Sequence, residues 1–299
     1  MKALRLILSV LLFLAMPAAS QAAQGAASLG DNAALRYWSA FAEMQDSAIT
    51  KEGAKELNRI LEGTAPYDDA KYKDLVEKNR AALATMARGT ALANCNWGID
   101  YQLGSSAPVD YVRKGLTLGR LNVLYTYHLL ATGDNDGAVR MLTSGLRFSR
   151  DVANGGTLFA TLVAKNLLAA HLRAVSYALL HDSELSAIQR QLLKMSVAGL
   201  GPAGLDWQSA MKRELGIFRA PFWTPEGVQT LNPQASAALG RLTPMYVSAL
   251  SNPSLLPRLQ QMRTSAPHPL PDLIPNPKRV IEEKQDLTRQ IRQVSAMLR

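Results

Sequence analysis

Apolar residues recur with helical spacing along two neighbouring segments near the middle of the chain. From Tyr111 to Val152 they follow one another at steps of three and four residues, except at a polar joint. That period marks one face of an α-helix. At the joint, Gly133 can end the first helix and Asp134 can cap the second. The pattern predicts an antiparallel helical hairpin whose inward positions are Val112, Leu116, Gly119, Val123, Tyr127 and Leu130, then Ala138, Leu142, Gly145, Phe148 and Val152.

Similar patterns predict further helices on both sides of this hairpin. The first covers about 31–44, with Ala34, Trp38, Phe41 and Met44 facing the core. The sequence shows no strand-like alternation. We therefore predict an all-α fold in which residues 31–220 form one helical domain of stacked α-α hairpins, as a solenoid-like array or an irregular bundle. The other predicted helices cover 51–62, a single stretch from Tyr72 to Gly89, 157–181, 183–200 and 205–219.

The composition changes after residue 220. Eleven of the fifteen prolines lie between Pro221 and Pro277. Because proline removes a backbone donor and disrupts helix interiors, we expect residues 221–277 to form an extended, proline-rich arm with only short helical pieces. Residues 278–299 predict a basic C-terminal helix that docks on the protein. Its apolar stripe comprises Val280, Ile281, Leu287, Ile291, Val294 and Leu298.

The first residues have the pattern of a secretory signal peptide. Lys2 and Arg5 precede an apolar run from Leu6 to Met16, and a small-x-small cleavage site ends at Ala22. We predict a signal peptide at 1–22 and export to the periplasm or beyond. The alternative is an uncleaved amphipathic first helix.

Charge and hydropathy narrow the expected partners. The net charge is +9, and +7 once Lys2 and Arg5 are removed, which suits an anionic cell envelope. We expect no nucleic acid, since the basic residues form no patch with interleaved aromatics. The apolar stretch 157–180 is interrupted by Lys165 and Arg173, which favours a buried helix over a membrane-spanning one. The sequence leaves the oligomeric state open.

The connector at 94–108 is the first candidate binding segment. It is rich in turn-forming residues yet contains Cys95, Trp97, Asp100 and Tyr101, and long loops with apolar anchors are packed on the core or functional. Cys95 and Asp100 could join His128 as nucleophile, orienter and base. The alternative is that Cys95 and Trp97 fill a gap between hairpins while Asp100 caps a turn.

Arginines on the first hairpin helix are the second candidate. Arg113 and Arg120 are seven residues apart and so share a helix face. Such a stripe can bind carboxylates of a peptide or an anionic glycan, or it can be a solvated face paired with nearby aspartates. The scattered histidines form no metal-binding motif, so we expect neither a metal nor a cofactor.

The hairpin is similar to a tetratricopeptide-type unit, through Gly133-Asp134 to Ala138 and then Leu142 and Gly145. More broadly, residues 31–180 resemble an exported, all-helical, functionally uncharacterised bacterial family of planctomycete type. Three blocks carry that resemblance: 32–41, 95–101 and 120–150. The resemblance implies export and a helical fold.

These observations favour a non-enzymatic, exported scaffold that binds a protein or peptide partner in the cell envelope. An envelope hydrolase acting on glycan or peptide is the alternative, with Cys95, Asp100 and Glu214 as its candidate groups. A third possibility is that the basic tail binds an anionic membrane surface.

Overall fold

The computed structural model describes residues 31–45, 51–181, 185–224 and 227–299. The predicted signal peptide, 1–22, lies outside the described residues. The helices of the first part are α1 Ala33–Glu43, α2 Lys51–Leu61, α3 Asp69–Lys78, α4 Arg80–Thr90, α5 Asp110–Ala131, α6 Asn135–Ala153, α7 Leu158–His181, α8 Ala187–Ala198 and α9 Trp207–Ile217. A short ladder of β1 Phe222–Thr224 and β2 Gly227–Gln229 follows, then α10 Pro233–Ser251, α11 Leu256–Thr264, α12 Leu270–Leu273 and α13 Pro277–Met297.

The all-α prediction is confirmed, and so is the central hairpin of α5 and α6. Gly133 adopts a φ of +78° between the two helices, and the Asp134 carboxylate accepts a 2.8 Å hydrogen bond from the Gly137 amide. The solenoid-like arrangement stays a prediction. The strand ladder is a departure from the predicted absence of strands, although each of its strands has only three residues.

Helix α7 lies at the centre of the described structure and packs against α5, α6, α9 and α13. By length and composition alone, Leu158–Leu180 is one helix that could cross a membrane, and 72% of its most apolar window is buried inside the protein. Gly119 of α5 allows a close approach here, because a Cβ atom would lie 2.7 Å from Leu167.

The single helix predicted up to Gly89 is wrong. The structure breaks it at Asn79, whose side-chain carbonyl accepts a 2.9 Å hydrogen bond from the Gln45 amide. The Asn79 side-chain amide also donates to the carbonyls of Gln45 and Leu75. These bonds to a segment 34 residues away stabilise the turn between α3 and α4.

The extended conformation predicted for 221–277 is wrong as well. Its largest element, α10, has 19 residues. The reason is positional: five of the eleven prolines lie where a helix begins, and proline is favoured there because its missing N–H has no partner to lose. The prolines in the first two positions of a helical element are Pro233, Pro253, Pro257, Pro271 and Pro277. Pro244 lies inside α10 but on its exposed side.

The C-terminal helix docks on the protein as its apolar stripe predicts. All six stripe residues, from Val280 to Leu298, are buried. The ammonium of Lys165 on α7, itself mostly buried, lies 2.7 Å from Glu283 and 3.0 Å from Asp286 of α13. Lys165, which interrupts the apolar sequence of α7, thus helps to bind the C-terminal helix α13 to the rest of the protein.

Candidate functional site

The predicted binding residue Trp97 lies in the core. Its indole ring stacks on Tyr111 at a centroid distance of 4.3 Å, and its Nε1–H donates a 2.7 Å hydrogen bond to the carbonyl of Asp151. Only 7% of the residue is exposed. On α1 the core-facing aromatic is the fully buried Tyr37, whereas Trp38, expected on that face, is 37% exposed. Trp97 therefore anchors the connector.

Cys95 anchors the connector beside Trp97. Its Sγ–H donates to the carbonyl of Asp151 over 3.7 Å, and the residue is buried. Burial raises the pKa of the Cys95 thiol, and the nearby Asp151 carboxylate raises it further. A thiol in this setting is a poor nucleophile, because the thiolate is the reactive form.

The alternative grouping of Cys95, Asp100 and His128 as a catalytic set is not assembled. His128 Nδ1 lies 2.7 Å from Asp69, and its Nε2 lies 3.4 Å from Glu77. Asp100 instead caps a 3-10 helix at Tyr101–Ser106 by accepting a hydrogen bond from the Gln102 amide. The three residues have different neighbours, so they do not form a nucleophile, base and orienter.

A cleft of about 630 Å³ lies between the C-terminal end of α6, the loop 199–206 and the start of α9. We call it the arginine cleft, because Arg147, Arg150 and Arg213 line it. Glycines at positive φ, among them Gly155 and Gly201 at +67° and +68°, shape the two loops at its edge. With no Cβ they leave the backbone close to the open space.

Each arginine of the cleft is held by a backbone carbonyl. The guanidinium of Arg147 donates to Ala93, that of Arg150 to Gly199 and that of Arg213 to Gly156, at 2.9, 3.0 and 2.9 Å. A guanidinium carries five N–H donors. Arg150 and Arg213 each use one of them in these bonds, so both retain donors for a ligand.

The two carboxylates of the cleft are already engaged. Asp151 accepts a 2.6 Å hydrogen bond from the Tyr37 hydroxyl and a 3.0 Å bond from Arg147 Nε. Burial raises the pKa of Asp151, against the opposing effect of these two partners. Asp206 caps α9 by accepting from the Ser209 amide at 3.0 Å. With three arginines and two aspartates in its lining, the cleft carries a formal net charge of +1.

A neighbouring groove of about 570 Å³ contains the predicted residues Asp100 and Tyr101. Arg213 lines both this groove and the arginine cleft, and its guanidinium lies 5.7 Å from the centre of the Tyr101 ring. A cation over an aromatic face is favourable by about 0.5–2 kcal/mol. Arg213 therefore connects the predicted connector residues to the cleft.

Glu214 lies close enough to Tyr101 to interact with it electrostatically, and it caps α7. Burial raises the pKa of its carboxyl, while hydrogen bonds from Thr157 and from the amides of Leu158 and Phe159 lower it. Its Oε2 atom is buried and without a hydrogen-bond partner. The buried hydroxyl groups of Tyr101 and Tyr111 lie beside each other and interact. One carboxylate oxygen is thus left unsatisfied in this part of the structure.

The structure separates the two predicted arginines of α5. Arg113 is exposed, and Arg120 lines a different cavity of about 380 Å³ together with Arg173. Arg113 and Arg120 do lie on the same face of α5. They are two helical turns apart, however, and other helices pack only over Arg120. Their joint role in binding a partner stays a prediction.

The exposed face of α8 was not predicted as a binding element. Ile188, Leu192 and Met195 lie on one side of this helix and are 74%, 46% and 62% exposed. Their spacing of four and three residues was visible in the sequence, but that spacing also fits a core face. The loop after α8 leads directly into the arginine cleft.

The arginine cleft was not predicted from the sequence, because its arginines are far apart along the chain. Arg147 and Arg150 lie more than sixty residues from Arg213 in the sequence, and no sequence pattern links them. The clustered glycines at 155–156 and 199–204 were the available signal.

Among the described residues, no group of three or more His, Cys, Asp and Glu side chains could hold a metal ion. Compared with protein-family models, curated proteins and solved structures, the chain shows no match. The resemblance to an exported helical family stays a prediction.

Proposed function

We propose that this protein is an exported helical scaffold that binds a protein or peptide partner in the cell envelope through the arginine cleft. The observation that carries the proposal is the set of three arginines around one 630 Å³ cleft whose own carboxylates are already engaged. Guanidinium groups bind carboxylates through paired hydrogen bonds. The ligand group is therefore an acidic side chain or a C-terminal carboxylate.

The apolar face of α8 supports a peptide or protein as the ligand. Three large exposed apolar side chains along two helical turns form a patch of the kind that a partner's apolar residues cover. A glycan offers less apolar surface to match it. A peptide carrying both acidic and apolar side chains suits the two features together.

Export is the part of the proposal that rests on the sequence alone. The leader at 1–22 supports it, and the net charge of the remaining chain suits a compartment bounded by anionic lipid and polymer. Detection of a processed chain beginning near Ala23 in the envelope fraction of the source cells is the test. A full-length chain retained in the cytoplasm contradicts export.

The binding proposal is tested with labelled peptides that carry acidic and apolar side chains. Each peptide is paired with a version in which every carboxylate is replaced by an amide. We expect the purified protein to prefer the acidic member by about tenfold or more in fluorescence polarisation, the effect of losing one charge-assisted hydrogen bond.

Three variants locate the binding surface. Arg150→Gln removes an exposed guanidinium that makes one backbone contact, so it should weaken binding without unfolding the protein. Arg213→Lys keeps the positive charge but removes the paired N–H donors of the guanidinium group. Arg241→Gln is the matched control, because Arg241 is an exposed arginine outside the cleft. Equal binding of acidic and amide peptides, or unchanged binding by Arg150→Gln, contradicts the proposal.

A hydrolase acting on envelope glycan or peptide is the second candidate. It is favoured by one observation: the carboxyl of Glu214, whose pKa burial raises, has an unsatisfied oxygen near a groove containing Asp100 and Tyr101. A carboxyl with a raised pKa suits general acid catalysis. Turnover of an envelope glycan or peptide that is lost in Glu214→Gln would favour this function, and absence of turnover removes it.

A further inference from the structure

Arg120 has an unusual position for an arginine. It lies on the side of α5 that faces α7, is partly buried, and makes no hydrogen bond or ion pair with any described residue. Burial lowers the pKa of its guanidinium, and no neighbouring carboxylate opposes that effect. Arginine is rarely buried without a partner, because the charge loses hydration.

The cavity beside Arg120 has a volume of about 380 Å³ and lies where α2, α5, α7 and α13 meet. Arg173 of α7 lines it too, and uses one of its donors, Nε, on the Leu61 carbonyl at 2.8 Å. Asn58 and Asn166 add amide groups to the lining. Two guanidinium groups and two amides from three helices therefore share one cavity.

The carboxylates of the cavity do not neutralise these arginines. Asp286 lies 3.0 Å from Lys165 and 2.7 Å from Arg289, and it accepts a hydrogen bond from Gln290. Glu62 is exposed and lies beyond ion-pair distance of both Arg120 and Arg173, although it and Asp286 oppose the lowering of the Arg173 pKa. Within the described residues, neither guanidinium group has a carboxylate within ion-pair distance.

We propose that this cavity is a binding site for a tetrahedral oxyanion, the phosphate or sulfate group of a small ligand, and that Arg120 and Arg173 hold it. The donors come from separate helices and so approach from several directions. A planar carboxylate is served by a single guanidinium fork, whereas a tetrahedral oxyanion accepts hydrogen bonds from several sides. This site is separate from the arginine cleft, so it stands whether or not the cleft binds a peptide.

The test is equilibrium dialysis of the purified protein against labelled inorganic phosphate at constant ionic strength. We expect saturable binding of one phosphate per chain, with sulfate competing and acetate competing about tenfold less well or worse. Arg120→Gln should weaken phosphate binding by about tenfold or more, because at least one charge-assisted hydrogen bond is lost. Arg120→Lys should bind phosphate more weakly than the wild type because the fork is absent.

Arg113→Gln is the matched control, because it removes an exposed arginine from the same face of the same helix. It should bind phosphate as the wild type does, and so should Arg150→Gln in the arginine cleft. No saturable binding at millimolar phosphate, equal binding by Arg120→Gln, or an equal loss in Arg113→Gln overturns the proposal. Equal competition by acetate overturns the tetrahedral assignment.

A second measurement keeps the proposal testable if a variant binds weakly for other reasons. Without phosphate, Arg120→Gln should be at least as resistant to urea as the wild type, because it removes a partly buried charge that has no partner. Adding phosphate should stabilise the wild type more than Arg120→Gln, since at a given phosphate concentration the tighter-binding protein gains more stability. A variant that is less stable than wild type without phosphate would show that Arg120 is structural, which overturns the proposal.

Discussion

The Tyr37 hydroxyl donates a 2.6 Å hydrogen bond to Oδ2 of Asp151, and this bond joins the first described helix to the end of α6 across 114 residues of chain. Both residues are buried. The backbone carbonyl of Asp151 also accepts from Trp97. One aspartate therefore ties α1, the connector and α6 together at the edge of the arginine cleft.

Replacing Tyr37 with phenylalanine should destabilise the protein by about 1–3 kcal/mol, because the buried Asp151 carboxylate loses a hydrogen-bond donor. Urea unfolding measures the change. Tyr125→Phe is the matched control, since Tyr125 is also buried and its hydroxyl makes no hydrogen bond with the described residues. Equal stability of the two variants would contradict a special role for the Tyr37 bond.

Gly145 is required by the contact between α6 and α7. A Cβ atom there would overlap His171 Nε2 and lie 2.5 Å from Asn122 Oδ1. Gly145→Ala should therefore destabilise the protein by about 1–3 kcal/mol, the usual cost of overpacking. Gly240→Ala is the control, because Gly240 is exposed in α10 with no atom near its added Cβ. There alanine should stabilise the helix by about 0.5–1 kcal/mol, and thermal unfolding of both variants checks the pair.

Most helices could be predicted because burial on one face leaves a period in the sequence. The joint of α5 and α6 was predictable for a local reason: Gly133 and Asp134 act within a few residues of where they stand. The break at Asn79 was not, because its side chain bonds Gln45 on another segment. The helical start positions of Pro233 and Pro277 follow a known rule that the proline count alone obscured.

The sites were harder to predict because they join distant parts of the chain. The period of α5 correctly places Arg113 and Arg120 on one face, but it does not say that α7 and α13 pack over the second and leave the first exposed. Arg213 meets Gly156 across 57 residues. Tyr37 rather than Trp38 faces the core because α1 packs against α4 and the connector, an orientation set by tertiary contacts.

Cys95 should react very slowly with thiol reagents in the folded protein. The side chain is buried and burial raises the pKa of its thiol, so the reactive thiolate is scarce. Mass spectrometry after timed iodoacetamide treatment measures the rate, with urea-unfolded protein as the reference. We expect the folded protein to react at least about a hundredfold more slowly than the unfolded protein, because alkylation requires opening of the connector. Similar rates in both states would show that the thiol is accessible.

Acid should destabilise the protein through His171. This side chain is fully buried and contacts the uncharged groups of Leu167, Ser149 and Asn122. Burial lowers its pKa to about 4, from 6.5 in an exposed chain. Between these values the unfolded chain binds a proton that the folded protein does not, so stability falls as the pH drops from about 6.5 to about 4.

The size of the effect follows from the shift, which corresponds to about 3 kcal/mol. Asp151 and Glu214 work in the opposite direction, because their pKa values are raised by burial and their protonation favours the folded state in acid. The test is therefore a comparison of urea unfolding between wild type and His171→Gln at pH 7 and at pH 4. The stability difference between the two proteins should change by about 3 kcal/mol in favour of the variant at pH 4. Parallel pH profiles would show that His171 titrates alike in the folded and unfolded states, which would contradict the lowered pKa of the buried side chain.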